Sequence, residues 1–253
     1  MNKKQFYEAH TNFSERNMNE YYISPGIKCK FDLLRKNLNQ RIQFRNAIDI
    51  GCSGNSFLYL LNKKFHKSFL DLAVLPLKQY ISNKFLYPIC GDILYLPYRN
   101  ESFNFITALD VLEHIKDDEY AVSEISRILK KGGILIITVP NRMKYFTNQD
   151  KLIGHYRRYE IEQLILLFKK YKLKKLRNFG VYGKFMRIAD VQSKNPSKIE
   201  KNIKKLRELY QNNLFFRKFW DIFVRFGSYF MRLDAEYHSQ KKVMNFALFL
   251  VKI

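Results

Sequence analysis

The chain is poor in cysteine, and its three cysteines fit neither a disulfide framework nor a zinc site. Cys29, Cys52 and Cys90 are far apart and odd in number, whereas both of those arrangements need paired thiols. The sequence also lacks an uncharged apolar run of the roughly 18 residues that mark a membrane-spanning helix. Its first residues lack the apolar stretch of a signal peptide. We therefore expect a cytoplasmic protein in a reducing compartment.

Acidic residues are scarce, with 23 Asp and Glu against 45 Lys and Arg, and the net charge is +22. Most of the excess lies in residues 141–253, which carry 26 basic and 9 acidic residues, whereas residues 1–140 carry 19 and 14. A basic region of this kind favours an anionic partner such as nucleic acid, a phosphorylated substrate or an anionic membrane. The alternative is a bias toward lysine and asparagine that the whole chain shares.

Apolar strand-like segments alternate with amphipathic helix-like segments through most of the chain. Near-continuous apolar strands between helices are typical of an α/β fold with a parallel sheet that is buried on both faces. We expect helices over SFLYLLNKKF and, more briefly, over LPLKQYISN, and no internal repeat is present. The expected strands are NAIDI, SFLDLAV, PICGDI, SFNFITALDV, GGILIITVP, KLKKLRNFGVY and NFALFLVKI.

The pattern changes after residue 187. Residues 188–243 are basic, aromatic and helical in spacing, and the chain then ends on another apolar strand. We therefore predict a core with N-terminal helices over residues 1–187, a helical insertion over 188–243 and a closing strand of the same sheet over 244–253.

The segment DIGCSG, which begins at Asp49, joins a strand to a following apolar run by a turn of small residues. Glycine at such a turn lets a ligand approach the backbone, at the carboxyl end of a strand where open α/β sheets bind ligands. Asp71 lies 22 residues after Asp49 at the end of the next strand, which suits hydrogen bonds from the two hydroxyls of a ribose. A dinucleotide fold makes the same prediction, so this pair does not choose the cofactor.

Further segments follow in order: GDILYLPYRNESFN, DVLEH and RILKKGGILIITVPN. Together with DIGCSG and FLDLA they resemble class I S-adenosylmethionine-dependent methyltransferases, in particular the ubiquinone and menaquinone type. The resemblance covers about residues 45–141 and departs from the family pattern at Ser53, Asn55, Asn104 and Lys131. It implies a Rossmann-like fold, a doubly wound sheet of seven mainly parallel strands.

The resemblance also implies a cofactor, S-adenosyl-L-methionine, and no metal. Asp49 would face the methionine amino group, Asp71 the ribose and Asp92 the adenine. Cys52 would be a small packing residue of the cofactor turn rather than a nucleophile. The implied cofactor-binding residues are Asp49, Gly51, Cys52, Gly54, Asp71, Leu72, Asp92, Ile93 and Asp110.

Two histidines are candidates for a general base that activates the methyl acceptor. His114 lies in DVLEHI after a strand, where the alternative is a packing or capping role. His155 precedes Arg157, Arg158 and Tyr159 in GHYRRY, and the two arginines suit a phosphate or carboxylate of the acceptor. The alternative there is a solvated basic turn with a packed tyrosine.

These features predict an S-adenosylmethionine-dependent methyltransferase that acts on a small-molecule, glycan or lipid-linked acceptor. The aromatic and basic residues of 188–243 suit peripheral contact with an anionic membrane, which predicts localisation at its inner face. The alternative is a structural role in which the aromatic side chains pack onto the sheet. An RNA methyltransferase, such as a tRNA enzyme, is an alternative function, although nucleic acid is the less favoured partner. A non-catalytic cofactor-binding protein with a membrane- or partner-binding helix is another.

Overall fold

A computed structural model describes residues 3–9, 15–38, 45–61, 64–80, 85–185, 196–239 and 241–253. Seven strands form one sheet in the order β3-β2-β1-β4-β5-β7-β6. The strands are β1 (Asn46–Ile50), β2 (His66–Asp71), β3 (Leu86–Cys90), β4 (Phe103–Leu109), β5 (Leu129–Pro140), β6 (Leu173–Tyr182) and β7 (Asn245–Lys252).

The first five strands pair in parallel, and β7 pairs antiparallel with both β5 and β6. The chain order reverses direction across the sheet between β1 and β4, and their carboxyl ends form the switch point at which doubly wound sheets bind ligands. The doubly wound, mainly parallel seven-stranded sheet predicted from the sequence is confirmed.

The helices lie before, between and after the strands. They are α1 (Lys3–Ala9), α2 (Glu20–Ile23), α3 (Pro25–Asn37), α4 (Asp118–Ile128), α5 (Asn148–Leu152), α6 (Ile161–Lys170), α7 (Pro196–Asn212) and α8 (Leu214–Tyr237). One apolar core contains α4 and α6 packed against the sheet, and a second contains α3 and the turn after β1. Both faces of the sheet are therefore covered, as the continuous apolar strands require.

The helix expected over SFLYLLNKKF is wrong for its described part. Phe57–Leu60 form a short 3₁₀ turn instead. Phe57 and Leu58 are both fully buried. The turn begins at Ser56, whose Oγ accepts a hydrogen bond from Leu58 N. The short helix expected over LPLKQYISN is likewise a 3₁₀ turn, Pro76–Tyr80, in its described part, and its residues 81–83 lie outside the described residues.

The last region contains two long helices, α7 and α8, followed by β7 between β5 and β6. Ala235 of α8 packs with Cys29 and Leu33 of α3. Residues 186–195 lie outside the described residues, so the division of the chain at 187 and 243 stays a prediction. Within the described ranges, none of the helices combines the length and the apolarity needed to cross a bilayer.

Candidate functional site

A cavity of about 950 Å³ opens at the carboxyl ends of β1, β2, β3 and β4. Most of the residues singled out from the sequence lie in its wall, where they come together from five separate segments of the chain. These are Asp49, Gly51, Cys52, Asp71, Leu72, Asp92, Ile93, Asp110, His114, His155 and Arg158. Gly54, Arg157 and Tyr159 do not line it.

The turn after β1 brings backbone rather than side chains to the cavity. Gly51 has a φ of +67°, and a Cβ there would lie 2.5 Å from Cγ2 of Val111, so glycine is required on both counts. Ser53 adopts the same left-handed region with a φ of +48°. Its N–H donates to Asp71 Oδ2 at 2.8 Å. A serine therefore provides a backbone conformation that a glycine usually supplies.

Gly54 serves a different purpose from the one the sequence suggested. It does not line the cavity, and a Cβ on it would lie 1.8 Å from the backbone oxygen of Arg16. The glycine is needed because the N-terminal segment crosses the turn closely. Arg16 itself lines the cavity, so that segment forms part of the wall.

Asp71 stands at the end of β2 with both carboxylate oxygens held. Oδ2 accepts from Ser53 N, and Oδ1 accepts from Ala73 N at 2.9 Å. Burial raises the pKa of Asp71, while these backbone hydrogen bonds oppose the rise. The result is a fixed acceptor group that faces the cavity.

Cys52, beside the turn, is buried, and this burial raises the pKa of its thiol well above the ordinary value. Tyr80 closes the back of the turn by stacking on Phe69 and donating from its hydroxyl to Ser53 O at 2.8 Å. A protonated thiol in such a place is a packing group rather than a nucleophile.

Asp49 is buried near the end of β1. Its two oxygens accept from the hydroxyls of Ser56 at 2.5 Å and Thr107 at 2.6 Å. Burial raises the pKa of Asp49 to about 6, although the two hydroxyl hydrogen bonds lower it. The carboxylate would be stabilised by a cationic ligand in the cavity.

Asp110 follows β4 and adopts a φ of +56°. Lys30 of α3 lies 2.5 Å from its Oδ2, and Thr138 donates to its Oδ1 at 2.8 Å. Burial would raise the pKa of Asp110, but the lysine outweighs it and the pKa is lowered. This ion pair crosses from α3 to the sheet and fixes one wall of the cavity.

The remaining predicted cofactor residues surround the end of the cavity nearest β3. Asp92 caps its own turn by accepting from Leu94 N at 3.0 Å. Ile93 is buried in the main core, and Leu72 follows Asp71. Together they offer an acidic group beside apolar surface, which suits a planar heterocycle with an amino group.

At the opposite end of the cavity, His155 is held by a carboxylate. Its Nδ1 lies 2.7 Å from Asp150 Oδ1. Arg158 donates to both oxygens of the same aspartate, from Nε at 3.0 Å and Nη2 at 2.8 Å. Burial would raise the pKa of Asp150, but these hydrogen bonds hold it well below its usual value. An ionised Asp150 places the imidazole proton on Nδ1 and leaves Nε2 as an acceptor.

The pKa values of two neighbours of this histidine are shifted in the direction that favours their neutral forms. Burial raises the pKa of Glu113 well above its ordinary value, and Asp110 adds to the rise. Burial and the nearby His155 lower the pKa of His114 to about 3. Glu113 Oε1 lies 3.9 Å from His155 Nε2, and within the described part of the chain neither of its oxygens has a hydrogen-bond partner. A buried carboxyl without a partner requires an explanation, and it faces a cavity that can hold a ligand.

Glu113, His114 and His155 could each supply one ligand atom to a metal, since these atoms lie within 4.8 Å of one another. However, His155 is already oriented by Asp150, and a metal would require Glu113 to lose the proton that its burial favours. The arrangement fits proton transfer better than a metal centre.

The structure gives the three other predicted acceptor residues mainly internal partners. Arg157 donates to Asp118 Oδ1 at 2.8 Å and to the backbone oxygen of Lys116. The buried Tyr159 donates to Leu112 O, and Arg158 holds Asp150. Two arginines side by side suggested an anion site because the sequence does not display their acidic partners.

Several residues of the cavity were missed by sequence reasoning. Lys3 and Tyr7 of α1 line it, as do Lys30, Glu113 and Asp150. Asp150 carried a local signal, because Thr147 and Asp150 form a capping box at the start of α5, and Glu113 stands in DVLEH directly before His114. The others are brought to the site by long-range packing.

Comparison with known proteins agrees with this geometry. Residues 48–137 match the family model described as a methyltransferase domain. The chain contains a methyltransferase domain. The match runs from β1 into β5 and includes the turn and all four predicted cavity aspartates. The predicted resemblance is therefore confirmed for this part of the chain.

Two of the curated relatives illustrate the range of names, and each is 31% identical to the chain over its aligned residues. One is a demethylmenaquinone methyltransferase from Lactobacillus johnsonii, aligned over 43% of this chain and 48% of its own length. The other is a probable tRNA methyltransferase 9B from Homo sapiens, aligned over 42% of this chain and 24% of its own. The chain spans about half the length, or less, of these relatives. They act on different acceptors, so the methyltransferase domain alone does not identify the acceptor.

One solved structure extends the fold comparison to nearly the whole chain. A SAM-dependent methyltransferase from Thermotoga maritima, described as a possible histamine N-methyltransferase, superposes with a TM-score of 0.65 over 99% of each chain at 16% identity. The fold around the methyltransferase domain is thus a known methyltransferase fold.

Proposed function

We propose that the protein transfers a methyl group from S-adenosyl-L-methionine to a nucleophilic atom of a small-molecule, glycan or lipid-linked acceptor. The observation that best supports this proposal is one cavity whose two ends differ in chemistry. One end has a backbone turn and buried carboxylates, and the other has an oriented histidine. The methyltransferase domain and its relatives support the same proposal.

The first end fits the cofactor by its chemistry. S-adenosylmethionine is a cationic nucleoside with a ribose, an adenine and a methionine tail, and when bound it supplies an electrophilic methyl group. Asp71 would accept from the ribose hydroxyls, Asp92 from the adenine amino group, and Asp49 would attract the ammonium of the tail. Gly51 and Ser53 leave room for the ligand along the backbone of the turn.

The second end would prepare the acceptor. His155 Nε2 would remove a proton from an acceptor hydroxyl or amine as its lone pair becomes available for the new bond to carbon. Asp150 would stabilise the resulting imidazolium through its hydrogen bond to Nδ1, and Arg158 would keep Asp150 ionised. Asp150 and Arg158 are thus positioning residues, and His155 is the catalytic one.

The burial of Glu113, which favours its protonated form, bears on the kind of acceptor. A protonated carboxyl both donates and accepts a hydrogen bond, so it can hold a hydroxyl or an amine beside His155 without demanding a charge. Lys3, which donates to the backbone oxygen of His114, would add a positive charge at the same end. We therefore propose a polar, neutral or anionic group at the reacting end of the acceptor.

An RNA acceptor is the second candidate. One relative is a probable tRNA methyltransferase, and Lys201, Lys204 and Lys205 of α7 are all exposed. Binding through such lysines depends steeply on salt, whereas binding of a small acceptor in the cavity does not.

The test has two measurements. Calorimetry should detect binding of S-adenosylmethionine to the purified protein, and an extract of cells that lack the protein should acquire radiolabelled methyl groups when protein and labelled cofactor are added. Separating the extract into small molecules, lipids, glycans and RNA then identifies the acceptor class. Absence of cofactor binding would overturn the proposal. Binding without transfer to any fraction would favour a non-catalytic cofactor-binding protein.

A further inference from the structure

The helix α8 has two apolar faces, and the described part of the chain covers only one of them. The inner face carries Val224, Ser228 and Ala235, which are buried, and Trp220 donates from its indole to Ile23 O at 3.0 Å. At Gly227 the helix approaches Pro25 so closely that a Cβ would lie 3.1 Å from it. This face fixes α8 on α2 and α3.

The opposite face is an exposed apolar stripe, which we call the outer stripe. Its members recur at intervals of three and four residues, so they share one side of the helix. They are between 42% and 86% exposed. The outer stripe consists of Phe215, Phe219, Ile222, Phe226, Phe230, Leu233 and Tyr237. The alternative in which the aromatic side chains pack on the sheet is therefore wrong for the aromatic residues of the outer stripe.

An exposed apolar surface of this length is unusual for a helix that contacts only solvent. Contiguous exposed apolar patches mark sites of interaction with proteins or membranes. The stripe follows nearly the whole length of a helix of 24 residues. It contains five aromatic residues, which favour the boundary between lipid headgroups and acyl chains.

The charges beside the stripe decide between the possible occupants. The acidic residues of α8 are all engaged: Asp221 accepts from Tyr210, Asp234 accepts from Phe185 N, and Glu236 pairs with Lys36 at 2.8 Å. Lys218 and Arg225 are exposed on one flank, and among the residues the structure describes they form no ion pair. The uncompensated charge beside the stripe is thus positive.

We propose that the outer stripe of α8 docks on an anionic lipid bilayer, with α8 lying in the plane of the membrane. The apolar side chains would enter the headgroup region, and Lys218 and Arg225 would bind lipid phosphates. A neutral apolar partner would not use the flanking charges, and a second copy would bring like charges together.

Docking in this orientation would bring the cavity near the membrane. The inner face of α8 rests on α3, and Ile27, Lys30 and Phe31 of α3 line the cavity. The helices α3 and α8 would therefore lie between the cavity and the bilayer. The proposal does not rest on methyl transfer, because docking can be measured without cofactor or acceptor.

The test is flotation of the purified full chain with vesicles of phosphatidylcholine alone or mixed with phosphatidylglycerol. We expect binding to the mixed vesicles and at least about tenfold less to the neutral ones. The variant Phe219→Ser with Phe226→Ser, and separately Lys218→Glu with Arg225→Glu, should each reduce binding to mixed vesicles by about tenfold or more. All four side chains are exposed, so the fold should persist.

Matched controls carry the same changes on other exposed surfaces. Leu166→Ser with Leu176→Ser removes exposed apolar side chains from α6 and β6, and Lys174→Glu with Lys175→Glu reverses exposed charges on β6. Both should float like the unchanged protein. The proposal is overturned if the protein does not float with anionic vesicles or if test and control variants lose binding equally. It is also overturned if light scattering shows that Phe219 and Phe226 support self-association instead.

Discussion

At the β1–β2 end of the cavity, the groups that face the ligand come from strand ends and from the turn between them. At the α5 end, they come from segments that lie far apart in the chain. Ser53, after β1, donates to Asp71 at the end of the neighbouring strand β2. Glu113 precedes β5 in the sequence and His155 follows it, so these two residues are brought together by the path of the chain around β5. The first end depends on backbone conformation, and the second depends on side-chain pairs.

The difference separates two tasks. A cofactor site built on backbone N–H groups and strand-end carboxylates can be shared by proteins with different acceptors, because these groups would contact the cofactor and not the acceptor. The α5 end is formed by the side chains of Asp150, Arg158 and Glu113 rather than by a backbone turn. We therefore expect changes at the two ends to affect different measurements.

The largest expected effect lies at the α5 end. His155→Gln should lower the rate of methyl transfer by about 10²- to 10⁴-fold, because the acceptor loses its general base. The affinity for S-adenosylmethionine should stay within about threefold. Labelled methyl incorporation into the acceptor fraction measures the rate, and calorimetry measures the affinity.

His238 provides a matched control for this change. Its Nε2 lies 3.1 Å from Asp234 Oδ1, so it also pairs with an aspartate, but it does not line the cavity. His238→Gln should leave the rate nearly unchanged. An equal loss in both variants would mean that His155 acts through stability alone.

At the β1–β2 end, Asp71→Ala should weaken S-adenosylmethionine binding by about 10²-fold. Hydrogen bonds to a charged group contribute roughly 1.5–3 kcal/mol each, and the ribose offers two. Glu119→Ala removes an exposed carboxylate outside the cavity and should leave the affinity unchanged. Calorimetry on both variants, with thermal unfolding to verify the fold, measures the effect; unchanged affinity in Asp71→Ala would remove this residue from the cofactor site.

A smaller effect should follow pH. The pKa of Asp49 is raised to about 6, so lowering the pH from 7 to 5 protonates it and removes its attraction for a cationic cofactor. If the ionised form alone binds, the affinity falls by about tenfold over this range. Calorimetry at several pH values should show the fall in the unchanged protein.

Unfolding driven by Asp49 cannot account for that fall. The carboxyl ionises near pH 4 when unfolded, so between about pH 4 and 6 the folded state binds more protons than the unfolded state. This group therefore favours folding as the pH decreases. Asp49→Asn should flatten the pH dependence of affinity. An equally steep dependence in that variant would assign it to another group.

The same division between the two ends explains what the sequence could predict. The sheet and the β1–β2 end follow from local patterns: apolar strands, a turn with Gly51, and aspartates at strand ends. Asp71 ends β2, and Ser53 lies in the turn that follows the adjacent parallel strand β1, so their proximity follows from strand order. These features could be predicted because each depends on few residues.

The α5 end and the outer stripe could not be predicted in this way. Whether Arg157 and Arg158 face a ligand or an aspartate depends on the path of the chain between β5 and α6. Whether the aromatic side of α8 meets the sheet or the surroundings depends on which of its two apolar faces packs on α3. The spacing of apolar residues predicts both apolar faces of α8, but it does not predict which of them packs on α3.

The smallest expected effect concerns the turn itself. Ser53 adopts a left-handed conformation that usually costs a residue other than glycine about 1 kcal/mol, while its N–H binds Asp71. Ser53→Gly relieves that conformation and keeps the N–H, but a glycine also makes the unfolded chain more flexible. The free energy of unfolding should thus change by less than about 1 kcal/mol, and the cofactor affinity by less than about threefold. Chemical denaturation and calorimetry measure the two quantities. A tenfold loss of affinity would show that the serine hydroxyl binds the cofactor, so that this end of the cavity also depends on a side chain.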